Sequence, residues 1–100
     1  MLKTKLDNNV LVCSGLLIAS NIQSVHASGQ LLLDQSSAEV FVDLSRTDDV
    51  LDLAGIQFLA VLFRSAKRRG KRLRILGIQE TQQNAIDVAG FQFLTDDQSW

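Results

Sequence analysis

One hundred residues, 46% of them hydrophobic, with no proline and a formal net charge of -1, make a chain long enough for one buried core and too short for two. That balance excludes a disordered chain and gives no global electrostatic pull toward nucleic acid or an anionic membrane. The single cysteine, Cys13, excludes an internal disulfide and a cysteine-cluster zinc site. Its place in an apolar run marks it as a buried, inert thiol.

In chain order, Leu2 to Leu6 alternates weakly, Asp7-Asn8-Asn9 is turn chemistry, and Val10–Cys13 reads as a stronger strand. Together they predict an N-terminal hairpin, with Ser14-Gly15 releasing the chain. Lys3 and Lys5 before the apolar run, with Val25-His26-Ala27 after it, imitate a secretory leader. The polar Asp7-Asn8-Asn9 and the interruption at Ser14-Gly15 speak against one, and the expectation is a cytoplasmic protein with no direct membrane insertion. Ser20 and Gln23 have capping-box spacing, and Ile22, Val25, Gly29, Leu32 and Leu33 recur at helical intervals. A first helix is predicted over Ser20–Leu33, followed by a loop at Gln35-Ser36-Ser37.

Val40, Phe41, Val42 and Leu44 predict a strand over Glu39–Leu44, buried on both faces and ending between Asp43 and Arg46. An acidic turn then leads to Asp52. From Ala54 the period becomes helical, with Ile56, Leu59, Ala60 and Phe63 on one face and Val61 and Leu62 widening it. This predicts a helix over Leu53–Arg69. Asp52 is placed to cap it, Asp48 and Asp49 add charge near the positive pole, Lys67, Arg68 and Arg69 complement the other pole, and Gly70 stops it. Leu73–Leu76 reads as a further strand. Thr81 is placed to cap a third helix over Thr81–Ala89 carrying Ala85, Ile86, Val88 and Ala89, with Gly90 ending it. Phe91, Phe93 and Leu94 are expected to fold back onto the core, and Thr95 to Trp100 is a polar tail with one aromatic. Strands separated by helices imply an α/β fold with a mostly parallel sheet, an antiparallel N-terminal hairpin strand and helices packed against it.

No constellation suits catalysis. The only histidine, His26, lies beside Ser24 and Ser28 with no carboxylate near it in sequence, and reads as a surface helix residue. The glycines form no phosphate-cradling motif, and no metal-ligand spacing is present. No catalytic residue, metal or cofactor is therefore assigned. Asp43 at the end of a central strand resembles a phosphorylated receiver aspartate, but Leu11 to Gly15 lacks the acidic pair such a site needs. A structural role, bonding backbone amides after the strand, fits better. Seven of the ten basic residues fall between Arg64 and Arg74. Gly70 splits them and no aromatic is interleaved, so the run reads as a solvated face rather than a nucleic-acid footprint, with an acidic protein partner as the functional alternative.

Asp43-Leu44-Ser45 followed by Asp52-Leu53-Ala54-Gly55-Ile56, opening an amphipathic helix that ends in basic residues and Gly70, resembles the STAS domain. The resemblance covers most of the chain and implies one STAS-like domain over residues 1–100. It differs from the family pattern at two points: the turn after Ser45 is one residue longer, and Leu53 stands where many members carry a phosphorylatable Ser or Thr. The resemblance implies a non-enzymatic interaction module whose partner surface is the helix start and the turn before it, here Asp48, Asp49, Asp52, Leu53, Ile56, Gln57 and Phe58. It places no phosphoacceptor at Leu53 and leaves Ser45 and Thr47 as substitutes. The implied partners are an anti-sigma factor or signalling kinase. The alternatives are the ATPase of a Mla-type phospholipid-transport ABC complex, which would hold this chain as a constitutive subunit, and the partner of a STAS protein in a chemotaxis cluster. Pairing with a second copy stays open.

Overall fold

The computed structural model describes residues 2–17 and 23–95, apart from the side chains of residues 2, 16, 17, 23–25, 49 and 50. Strand β1 (Leu2–Asp7) turns at Asn8-Asn9 into β2 (Val10–Leu17). Asn8 takes φ 54°, a left-handed conformation that its short polar side chain tolerates better than most. Asn9 fastens the turn to the next strand, its side chain donating to the Glu39 carbonyl at 2.9 Å and its own carbonyl accepting the Phe41 N–H at 2.8 Å. Helix α1 (Gln23–Leu33), strand β3 (Glu39–Leu51), helix α2 (Leu53–Arg68), strand β4 (Arg72–Leu76), helix α3 (Glu80–Val88) and a 3-10 turn at Gln92–Leu94 follow.

The four strands form one sheet in the order β1-β2-β3-β4, antiparallel between β1 and β2 and parallel thereafter. The expected α/β fold is therefore present, including the hairpin edge. Because the order advances in one direction, right-handed crossovers through α1 and α2 place both helices on the same face. The shortest molecular axis, 19 Å, suits one sheet and one helical layer, each about 10 Å deep.

Strand residues at alternate positions, among them Leu11, Cys13, Val40, Val42, Leu44 and Leu73, join Leu32 and Leu33 of α1, Leu59 and Phe63 of α2, and Ile86 of α3 in one core. Phe63 meets Phe93 edge-on at 5.3 Å, and Leu94 is buried, so the C-terminal aromatics fold back as expected. His26 is exposed on α1 and meets the Phe58 ring at 5.5 Å. Ile22, within the predicted first helix, and Trp100 lie outside the described residues.

Two strands are longer than their sequence signals. β2 continues through Ser14-Gly15, with Gly15 at φ 103°, and β3 continues through the predicted acidic turn to Leu51. The register explains how. Val12 pairs with Asp43 and Ser14 with Arg46, then Gly15 with Thr47 and Leu17 with Leu51, so β3 inserts extra residues as bulges while staying paired. The first insertion resets the side-chain alternation: Val40, Val42 and Leu44 are buried two apart, and Thr47 three further on. Asp43 has the structural role expected of it, accepting the Ser45 N–H at 2.9 Å.

Thr81 does not cap α3. The cap is Gln79, whose backbone N–H donates to the Gln82 side chain at 3.0 Å, so the helix starts before the residue with the better capping hydroxyl. The basic run is also more integrated than a solvated face. Arg69 pairs with Asp34 at 2.8 Å, Lys71 donates to the Gln35 and Ser37 carbonyls, and Arg74 lies 3.7 Å from Glu39. These contacts tie the end of α2 and the start of β4 to the loop before β3.

Candidate functional site

The start of α2 is built from β3 outward. Leu51 ends the strand buried, Asp52 takes extended backbone at φ -87° and ψ 176°, and its Oδ1 accepts the Gly55 N–H at 2.9 Å. That bond satisfies one of the donors a helix leaves open at its first turn. Asp52 is therefore the predicted cap, and Leu53 becomes the first helical residue with 55% of its surface exposed.

From there the helical period sorts the side chains. Leu53, Gln57 and Val61 stand one turn apart along the outer ridge. Ile56 and Phe58 point the other way and are 2% and 4% exposed. Both were expected at the partner surface. They belong to the core, because α1 and α3 flank α2 and cover them; His26 packs on Phe58, and Ala85 borders Ile56. Val61, expected to widen the buried face, is 54% exposed.

Leu53 borders a shallow apolar depression of about 390 Å³ between the starts of α2 and the end of α3, lined also by Leu51, Ile56, Ala85 and Val88. Val88, one of the apolar residues carried by the third helix, is 90% exposed. Ile86, two residues earlier, is fully buried, and a two-residue step on a helix turns a side chain by more than a right angle. A second, smaller cleft of about 250 Å³ lies on the other side of the ridge, between His26, Ala54, Gln57, Phe58 and Val61.

The acidic residues separate. Asp48 is exposed on the bulged part of β3, Asp52 is half-buried at the cap, and the Asp49 side chain is outside the described ones. Of the two substitute hydroxyls, Ser45 is exposed, whereas Thr47 is 5% exposed and fully engaged. Its hydroxyl donates to the Leu44 carbonyl at 2.6 Å and accepts from Gln82 Nε2 at 2.8 Å. Gln82, itself completely buried, donates also to the Asp48 carbonyl at 3.0 Å. Sequence reading did not single out this glutamine, since nothing local distinguishes it from the neighbouring Gln83.

Among the described residues no group of histidine, cysteine and carboxylate side chains is arranged to hold a metal ion, and no helix is long and apolar enough to cross a membrane. What the arrangement offers is an exposed leucine on a capped helix start, an apolar depression beside it and a carboxylate at its edge. That is the composition of a protein-contact patch with a polar rim.

Comparison with solved structures places the fold. The anti-sigma factor antagonist SpoIIAA in its unphosphorylated form superposes with a TM-score of 0.72 at 12% identity, covering 96% of this chain and 86% of that one. A STAS domain of an anti-sigma-factor antagonist from Rhodobacter sphaeroides gives 0.62 at 20% identity, covering 81% and 92%. The solution structure of the protein TM1081 gives 0.66 at 14% identity, covering 96% and 78%. No curated protein matches the sequence. Residues 1–96 match the family described as "Mlab, STAS domain", and the chain belongs to the STAS domain family.

Proposed function

We propose that this chain is a non-enzymatic protein-interaction module of the anti-sigma-factor-antagonist type, acting as one domain in the cytoplasm and docking through the start of α2 without a phospho-switch at that position. STAS domains are generally regulatory binding modules. The observation that carries the reading is Leu53, the first residue of α2, 55% exposed and bordering an apolar depression. An apolar side chain there supplies contact area and has no hydroxyl to modify. Thr47, buried and bonded at both lone pair and proton, is a poor substitute acceptor, and Ser45 is the exposed one. Asp52, next to Leu53 at the helix start, favours a partner with a basic group beside an apolar centre.

A second reading has one specific observation in its favour. The matched family carries the description Mlab, which suits a constitutive subunit on the ATPase of a phospholipid-transport ABC complex. In that reading the same patch binds an ATPase, and the missing hydroxyl needs no further explanation.

Affinity capture of the protein from its own cells separates the two, an anti-sigma factor or signalling kinase supporting the first and an ABC ATPase the second. With the captured partner in hand, Leu53→Asp is expected to weaken binding more than about tenfold, roughly 1.4 kcal/mol, with an unchanged circular-dichroism spectrum. Full binding by that variant would remove the helix start from the interface.

A further inference from the structure

The sheet ends on β4, and among the described residues no strand pairs with its outer edge. The Arg72 N–H donates to the Ala38 carbonyl at 2.8 Å, and the parallel register sets Arg72, Arg74 and Leu76 opposite Glu39, Phe41 and Asp43. Successive residues of a strand direct their backbone groups to opposite edges, so those of Leu73 and Ile75 point away from β3. Their N–H and carbonyl groups have no partner among the described residues. An added extended chain can take up all of them.

The side chains beside this edge select the chain that fits it. Leu73 is buried and Ile75 half-buried on the helical side of the sheet, whereas Arg72 and Arg74 stand on the face that no helix covers. From Lys71 to Leu76 the chain carries three cations and no carboxylate, and Lys71 rests on the neutral carbonyls of Gln35 and Ser37. Glu39 of β3 shows what suits the two arginines, standing opposite Arg72 in register and 3.7 Å from the Arg74 Nε. A strand added on the other side meets the same two side chains, and carboxylates on it gain from them as cross-strand pairs do. A second copy of β4 fits poorly. The antiparallel register that uses every free group pairs Leu73 with Ile75 of the other copy and sets Arg74 opposite Arg74, where like charges repel. We propose that the free edge of β4 docks an extended segment of a partner protein in which acidic and apolar residues alternate. Its carboxylates lie beside Arg72 and Arg74, and its apolar side chains lie beside Leu73 and Ile75, covering the open side of Ile75. This edge shares no residue with the Leu53 patch, so it stands or falls independently of the partner surface proposed there.

The probe is the peptide acetyl-Glu-Val-Glu-Val-Glu-Val-Glu-amide, titrated into the isotope-labelled protein and followed by nuclear magnetic resonance, with the same peptide carrying lysine for glutamate as control. The expected result is a saturable shift of the Leu73 and Ile75 amide signals and slower hydrogen exchange at both. The glutamate peptide should bind at least about tenfold more tightly than the lysine peptide. Arg72→Gln with Arg74→Gln should abolish that preference and leave the amide signals of the three helices in place. Ile75→Pro removes an outward N–H and no bond of the ladder with β3, so the sheet should persist while the glutamate peptide is lost. The glutamine pair tests the same edge without touching its backbone. Equal affinity for the two peptides, or full binding by the glutamine variant, overturns the proposal. Shifts confined to Arg64, Lys67 and Arg68 at the end of α2 overturn it as well, since they would mark attraction to that basic cluster alone. So does protection of the Leu73 and Ile75 amides that needs no peptide and disappears on dilution, because the edge would then belong to a second copy.

Discussion

Cys13 and Thr47 show how much a single side chain's meaning depends on where the sheet puts it. Cys13 faces the helical layer with no exposed surface, and burial, aided by the charge of Asp43, pushes its thiol up to about 11 from a usual 9.0. The neutral thiol is thus favoured in the folded chain. The stabilisation this brings is fully present below pH 9 and is lost as the pH rises through about 11, because there the unfolded thiol ionises first and the folded state must give up the extra proton. A thiol reagent at pH 7.5 is therefore expected to leave the native protein unmodified and to label one site once denaturant is added. Rapid labelling of the native protein would show that the thiol is open to solvent. Thr47 looks in sequence like a hydroxyl in a polar turn. In the fold it is a buried joint, spending its proton on Leu44 and its lone pair on Gln82.

At the scale of elements, the bulged half of β3 is the feature on which the site is built. It carries the strand to Leu51, brings Asp52 to the helix start and turns Thr47 inward. Gln82 locks α3 to this irregular backbone through Thr47 and Asp48 and receives the Gln79 N–H in return. Gly77 completes the fit. With φ at 67°, a Cβ there would lie 2.5 Å from the Ser45 Cβ, so only glycine lets the chain leaving β4 pass the bulge. Removing the Gln82 amide leaves buried partners unsatisfied, and Gln82→Ala is expected to cost about 1–3 kcal/mol in urea denaturation. Gln83→Ala, at a half-buried position one residue on whose amide bonds only Asp87 and Thr95, should cost less. Equal effects of the two would mean that the Gln82 network is not holding α3.

For the whole molecule, one core joins all four strands to the three helices. Leu59 sits at its middle with no exposed surface. Leu59→Ala is expected to lower stability by roughly 2–5 kcal/mol, seen as a lower denaturant midpoint with the slope unchanged. Near- and far-ultraviolet circular dichroism should report the same transition, as one cooperative unit requires. A midpoint equal to wild type would place Leu59 outside the core. The helices cover one face of the sheet only. Lys3, Lys5, Asp7 and Arg72 accordingly stay exposed at positions alternate to the buried ones, which is how a two-layer fold disposes of its charge.

The sequence by itself determined the order and type of the main elements, the parallel pairing with a hairpin edge and the Asp52 cap. All of these rest on local chemistry: alternation in strands, a 3.6-residue period in α2, and side chains that cap a helix start or allow a positive φ at Gly70 and Gly90. Only the tertiary structure decided which residues of the site are surface. The exposure of Leu53, Val61 and Val88 and the burial of Ile56, Phe58 and Thr47 follow from what α1, α3 and β2 bring alongside them. The extension of β3 to Leu51 depends likewise on a register with β2 that no local pattern in β3 contains. A period marks a face as apolar, but a neighbour distant in sequence determines whether that face is covered.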